Sequence, residues 1–240
     1  MITSMLKGLF PEKAKKILRS KLGVPSQEDS FKKIRDLGFL PKNCLDVGSY
    51  EGLWTREFKH IFPDAAIMMI EGQLSKEPKL QKVKQDLKDI DYRIALLGAT
   101  EAPVSFNIYD TASSVLLEHN DTGAKTETRN LVKLDNLLEG SNFNQPDFIK
   151  IDTQGYELEI LKGGEKALSF AEFVLLEVSF LDIYINSPLV ADKLAFMKEH
   201  GFVVYDICTL MKRPLDKALF QSDFLFVKED STFRKDKRWN

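Results

Sequence analysis

Three short apolar runs in this chain stop at a carboxylate, and a fourth carries one near its end. NCLDVG reaches Asp46, AAIMMIE ends at Glu71, DFIKID ends at Asp152, and FVLLEVS holds Glu177. Continuous apolar runs of this length suit strands buried on both faces, as in a parallel sheet. Helical patterns separate them: 52–61 stops before Pro63, 76–90 is highly charged, and GYELEILKGGEKAL follows Asp152. Alternating strands and helices predict a mostly parallel, doubly wound α/β sheet with its ligand at the C-terminal strand ends. The four acids then converge on one crevice.

The first of these ends is the most informative. In CLDVGSYEGLWTREF the order is Asp46-x-Gly48-x-x-x-Gly52, and Trp54, Phe58 and Ile61 follow at helical spacing. A strand that stops in a glycine turn and restarts as a helix lets backbone approach a ligand closely. A rim of carboxylates repels phosphate but holds a cation or a ribose diol. S-adenosylmethionine offers a sulfonium, an ammonium and a ribose, and has no phosphate. Glu71 lies nineteen residues beyond Gly52, where a strand-two acid also reaches the ribose in dinucleotide folds. A nicotinamide-dependent oxidoreductase is therefore the rival reading. It wants G-x-G-x-x-G for a pyrophosphate at a helix N-terminus, and the acid here disfavours one.

Elsewhere EDSFKKIRDLG (28–38) reads as a helix closed by Gly38, and YRIALLG (92–98) as one further strand. VSFNIYD and ETRNLVKL alternate in strand fashion around the polar stretch TASSVLLEHNDTGAK, which predicts a hairpin insertion with a long, substrate-facing loop. A short helix over 135–139, a helix in LVADKLAFMKEHG, and an antiparallel pair FVVYDIC (202–208) and DFLFVKE (223–229) complete the chain. The expected division is an N-terminal helical extension (1–40), one catalytic domain (41–230) and a charged tail (231–240).

Composition narrows the function. The 240 residues carry 34 Lys plus Arg against 36 Asp plus Glu, which argues against a large nucleic-acid footprint. Cys44 and Cys208 sit in apolar runs and read as buried, reduced thiols of a cytoplasmic protein, too few for a metal framework. No apolar stretch is long enough for a membrane span. The N-terminal MITSMLKGLFPEKAKKILRSKL is basic and amphipathic, with Glu12 its one acid. It reads as helix packed on the domain, or as a weak contact with a membrane surface, split by Pro11.

LDVGSYEG, IEG, ASSVL, VKLDNLL, DFIKIDTQGYELEILKGGEKAL, VLLEVS and GFVVYDI resemble, in that order, blocks of the FkbM-type family of S-adenosylmethionine-dependent methyltransferases. The resemblance spans roughly residues 43 to 208, and FIKIDTQGYELEILKG is its most specific block. It implies a Rossmann-like class I methyltransferase fold, a seven-stranded sheet with the last strand antiparallel, and O-methylation of a sugar or other small molecule. Carried over by position, Asp46, Gly48 and Gly52 hold the methionine end, Glu71 the ribose diol, Ser49, Gly72 and Ala95 join the cofactor set, and Asp152 and Gly155 face the transferring methyl. Many relatives have Glu where this chain has Gln154. Asp152-Thr153-Gln154-Gly155 also stands where amino-methylating enzymes carry a proline-containing motif, which argues against nucleic-acid substrates.

Methyl transfer to an oxygen needs a proton acceptor. Asp152 and Glu177 are candidates by location, and His119 by a pKa naturally near neutrality. His60 and His200 end helices, where a cation meets the dipole. Ser113, Ser114, Tyr184 and Asn186 are candidate acceptor-binding residues. Clustered carboxylates can hold Mg²⁺, but two of these acids are taken by the cofactor, and the expectation is no metal. A module that binds the cofactor without turnover is the remaining alternative.

Overall fold

The computed structural model describes residues 22–109, 113–119, 123 and 125–239. The basic stretch up to Lys21, with its expected helices and membrane-surface contact, lies outside them. The strands are β1 (Asn43–Val47), β2 (Ala66–Glu71), β3 (Ile90–Ile94), β4 (Leu96–Leu97), β5 (Pro103–Ile108) and β6 (Lys125–Val132). They continue with β7 (Phe148–Ile151), β8 (Phe173–Ser179), β9 (Phe202–Ile207), β10 (Met211–Lys212) and β11 (Leu219–Lys228). The α-helices are α1 (Gln27–Asp36), α2 (Leu53–Ile61), α3 (Glu77–Asp86), α4 (Leu134–Leu138), α5 (Glu157–Lys162), α6 (Glu165–Phe170) and α7 (Val190–Glu199).

The main sheet runs β10–β11–β8–β7–β1–β2–β3, with β9 also paired to β11. β1, β2, β3, β7 and β8 are parallel, and the last strand, β11, runs against both β8 and β9. This is the expected class I methyltransferase order. The additional strand, β10, is a continuation of β9. Ile207 lies opposite Phe224 and Met211 opposite Gln221, so β10 resumes along the edge that β9 began.

Side-chain alternation splits the core. Leu45 and Val47 of β1 join Ile149 and Ile151 of β7 under α4, α5, α6 and α7. On the opposite face Cys44, Phe148, Phe173 and Leu175 pack against α1, α2 and α3. α1 starts at Ser26, whose hydroxyl accepts from the Asp29 amide, and ends before Gly38 at φ 98°. It seats Phe31 edge-on against Phe58 and Phe148. Both cysteines are free and buried.

Two elements differ from the sequence reading. YRIALLG is not one strand: the Ala95 amide donates to Glu71 O at 2.9 Å, and the chain then leaves the main sheet. β4 pairs instead with β6, in a second sheet ordered β4–β6–β5. That sheet contains the expected hairpin, β5 against β6. GYELEILKGGEKAL is likewise two helices, broken at Gly163–Gly164. A Cβ on Gly163 would stand 2.1 Å from the Gly98 carbonyl oxygen, and one on Gly164 2.7 Å from Leu134. The junction presses on its neighbours where no side chain fits.

Candidate active site

The β1 turn is built from below. Gly48 and Ser49 donate their amides to Ile70 O, and Gly48, Tyr50 and Gly52 all have positive φ. A Cβ on Gly48 would lie 1.8 Å from the Asp152 carbonyl oxygen. Beneath the turn, Lys150 donates to Gly48 O at 2.8 Å and Val47 O at 3.3 Å. Its Nζ also stands 3.1 Å from Asp46 Oδ1, while Thr55 donates to Asp46 Oδ2 at 2.7 Å. Burial works against the Lys150 charge, but Asp46 and Asp152 outweigh it and hold its pKa above the usual lysine value. Asp46 is wholly buried. It braces the turn through this ion pair and does not line the cavity above.

That cavity has a volume of about 270 Å³. Glu71 stands at one end, accepting from the Tyr50 amide at 2.7 Å and the Gln73 amide at 2.8 Å. Burial raises its pKa despite these two amides and the nearby Lys150. Gly72, Ala95, Leu96 and Phe106 continue the lining, and Asp152 and Gln154 reach it from β7. Ser49, Gly52 and Gly155 stand outside the lining. Ser49 reaches back to Ile70, Gly52 packs on Met69 and Val83, and the Gly155 amide turns to Glu157.

The β7–β8 end gathers Asp152, Glu177, Gln154 and Tyr184. Gln154 Nε2 donates to Asp152 Oδ1 at 3.0 Å and Glu177 Oε2 at 3.3 Å, and the Tyr184 hydroxyl donates to Gln154 Oε1 at 3.0 Å. Burial raises the Asp152 pKa, Lys150 opposes, and Asp223 and Glu157 push it further up. Burial and then Asp152 lift Glu177 well above the carboxylate range. Burial likewise raises Tyr184.

The insertion closes over this end. Ser113 lines the cavity and bonds back to Tyr109, while Ser114 donates to the Gln154 carbonyl at 2.9 Å. Farther along, the His119 amide donates to Ile183 O and the Ile185 amide to Leu117 O. The His119 side chain stays outside, exposed and 3.7 Å from Asp182. Asn186 is an exposed turn residue at φ 60°. Neither reaches the carboxyl group.

Sequence reasoning missed the supports. Glu157 Oε1 accepts from the Thr153 and Gly155 amides, each at 3.0 Å, and fixes the loop that carries Gln154. Its other oxygen takes Lys193 at 2.7 Å, and Lys193 donates again to Glu177 O at 2.7 Å. Both side chains of this pair are fully buried. Burial disfavours the Glu157 charge, yet Lys193 holds its pKa below the usual value. The visible signal was a lysine inside an apolar pattern, in DFIKID and again in LVADKLAFMKEHG. Lys193→Met is expected to cost about 3–5 kcal/mol, because it strands a buried carboxylate. Equilibrium unfolding in urea measures this, and a loss under 1 kcal/mol would show the pair to be dispensable.

These features fit S-adenosylmethionine: a glycine where a side chain would collide with β7, an acid at the end of β2 lining the cavity, and an acid from β7 hostile to phosphate. Among the described residues, no group of three or more His, Cys, Asp or Glu is placed to hold a metal ion. A segment of 44 residues is 41% identical to the hexuronic acid methyltransferase AglP of Haloferax volcanii, 18% of each chain. The crystal structure of methyltransferase FkbM from Methylobacillus flagellatus KT superposes with TM-score 0.48 at 18% identity, covering 76% of this chain and 43% of that one. Fibrillarin from Aeropyrum pernix, crystallised with bound S-adenosylmethionine, gives TM-score 0.47 at 13% identity, over 78% of this chain and 67% of that one. The chain thus spans under half of the first two proteins. The methyltransferase FkbM domain model matches residues 46–204, more than half of the sequence. From the braced glycine turn through β9, the chain belongs to the FkbM methyltransferase family, and S-adenosylmethionine is its cofactor.

Proposed function

We propose that this protein transfers a methyl group from S-adenosylmethionine to a hydroxyl oxygen of a small molecule, a sugar of a glycan or glycoside. One observation carries the reading: a carboxyl group, Asp152 at the end of β7, lines the same cavity as Glu71 at the end of β2, and burial raises its pKa. Bound S-adenosylmethionine supplies an electrophilic methyl carbon. Gly48, Gly72 and Ala95 shape the space for it, and Glu71 accepts from its ribose hydroxyls. Asp152 takes the proton of the acceptor hydroxyl, which raises that oxygen's nucleophilicity. Residues 117–119 of the insertion are laced to residues 183–185 beside this end. Tyr184, Ser113 and Ser114 stand nearest the acceptor's side. The segment match to a hexuronic acid methyltransferase supports a sugar acceptor. The two unpaired, buried thiols favour the cytoplasm. Family membership sets the nicotinamide reading aside.

Titration with S-adenosylmethionine, followed by transfer of its labelled methyl group across a panel of sugars, glycosides and hexuronic acids, tests the proposal. Binding without transfer to any of them would favour a cofactor-binding module. Glu71→Ala is expected to weaken cofactor binding by about 1.5–3 kcal/mol while leaving the fold intact. Unchanged affinity in calorimetry would remove Glu71 from the cofactor site.

A further inference from the structure

The β7–α5 loop places one neutral amide between two carboxyl groups, Glu177 buried and Asp152 half-buried. Gln154, held at φ 57°, spends both hydrogens of Nε2 on them, one toward Asp152 at 3.0 Å and one toward Glu177 at 3.3 Å. Its carbonyl end takes the Tyr184 hydroxyl at 3.0 Å, which fixes which way the amide points. Every polar hydrogen of this side chain is thus committed. The carboxyl groups are linked through a single atom.

The neighbouring lysines offset them only in part: Lys150 lowers the Asp152 pKa and Lys193 that of Glu177, but burial and the surrounding acids outweigh both. From β7, Lys150 is engaged with Asp46 and the carbonyls of Val47 and Gly48. From α7, Lys193 is engaged with Glu157 and with the backbone oxygen of Glu177. From β11, Asp223 lies opposite Glu177 and adds a negative charge, held by Gln27 and Thr209 at 2.8 Å each. From α5, Glu157 adds another, and Tyr184 from the segment after β8 brings no charge. Neither lysine donates to the Asp152 or Glu177 carboxyl oxygens. Two carboxylates confined in this way repel, and a single retained proton relieves the repulsion.

We propose that Asp152 and Glu177 titrate as one pair that keeps a proton at neutral pH, and that Gln154 is the positioning residue that joins them. The methyl-transfer reading gives the pair its use. The ionised member accepts the proton from the acceptor hydroxyl as the new C–O bond forms and the C–S bond breaks. The doubly protonated pair then returns one proton to water. A glutamate at position 154 would bring a third carboxyl into the group and upset this balance.

The test needs no acceptor. A carboxyl whose folded pKa is raised stabilises the fold below its unfolded pKa, and that contribution is lost as pH rises through the folded value. Glu177→Gln removes the titration. Its thermal midpoint is expected to rise relative to the wild type by roughly 2–4 °C between about pH 5 and about pH 9. Gln154→Glu is expected to change the midpoint in the opposite sense, falling more steeply with pH than the wild type. Infrared difference spectra at neutral pH should show a protonated carboxyl band that Glu177→Gln abolishes. Parallel midpoint curves for wild type and Glu177→Gln, or no such band, would overturn the proposal. So would Gln154→Glu and Gln154→Ala losing the same stability at every pH, which marks a merely structural role. A failed acceptor screen touches none of these readouts, so the pair and the methyl-transfer reading stand or fall separately.

Discussion

Gly48→Val is expected to abolish S-adenosylmethionine binding and to lower stability by about 2–6 kcal/mol, from overpacking together with a forced positive φ on a β-branched residue. The new Cβ would fall 1.8 Å from the Asp152 carbonyl oxygen. That oxygen belongs to backbone, so it cannot swing aside. β1 and β7 would have to part at the point where Lys150 ties both Gly48 and Val47 from below. Calorimetric titration and urea unfolding read the two losses. A valine variant that binds the cofactor normally would show that this turn is not the cofactor's cradle.

Asp152→Asn is expected to slow methyl transfer by roughly 10²–10⁴-fold, the range for a positioned general base. Cofactor affinity should fall much less, since on the proposed reading Glu71 and the Gly48 turn hold parts of the ligand away from the reacting centre. Asparagine keeps the shape and can still meet Gln154, which limits the structural cost. Single-turnover transfer to an acceptor found in the sugar screen, beside titration of the same variant, separates the effects. A full rate would move the base to Glu177. Lost binding with an unchanged chemical step would make Asp152 a cofactor residue alone.

The architecture was legible where burial is two-sided. AIMMIE and FVLLEVS can only be interior strands, and the acids at their ends mark which edge of the sheet is open. The hairpin showed itself by alternation. Ala95 did not, because YRIALLG is apolar through the point where it changes sheets, and periodicity cannot register a change of partner. The GG of KGGEKAL also read as helix, since the reason for it is the Gly98 carbonyl some sixty-five residues earlier in the sequence. The supporting lysines were illegible for a similar reason. Lys193 meets Glu157 across 36 positions, and Lys150 meets Asp46 only through the β1–β7 register. A charge in an apolar pattern announces that a partner exists without naming it. Asp46 illustrates the converse: its place in the motif suggested contact with a ligand, and the structure puts it beneath the turn instead.

The insertion is fastened at both ends by main chain. β4 and β6 hold its base, and the bonds joining Leu117 and His119 to residues 183–185 hold its far side. Such bonds do not read side chains. The sequence along 117–119 can therefore drift while the span itself stays in place, and the cavity, which Ser113, Ser114 and Val115 line, would not register the change. A change confined to this stretch would alter the rim of the site without rebuilding the machinery beneath it.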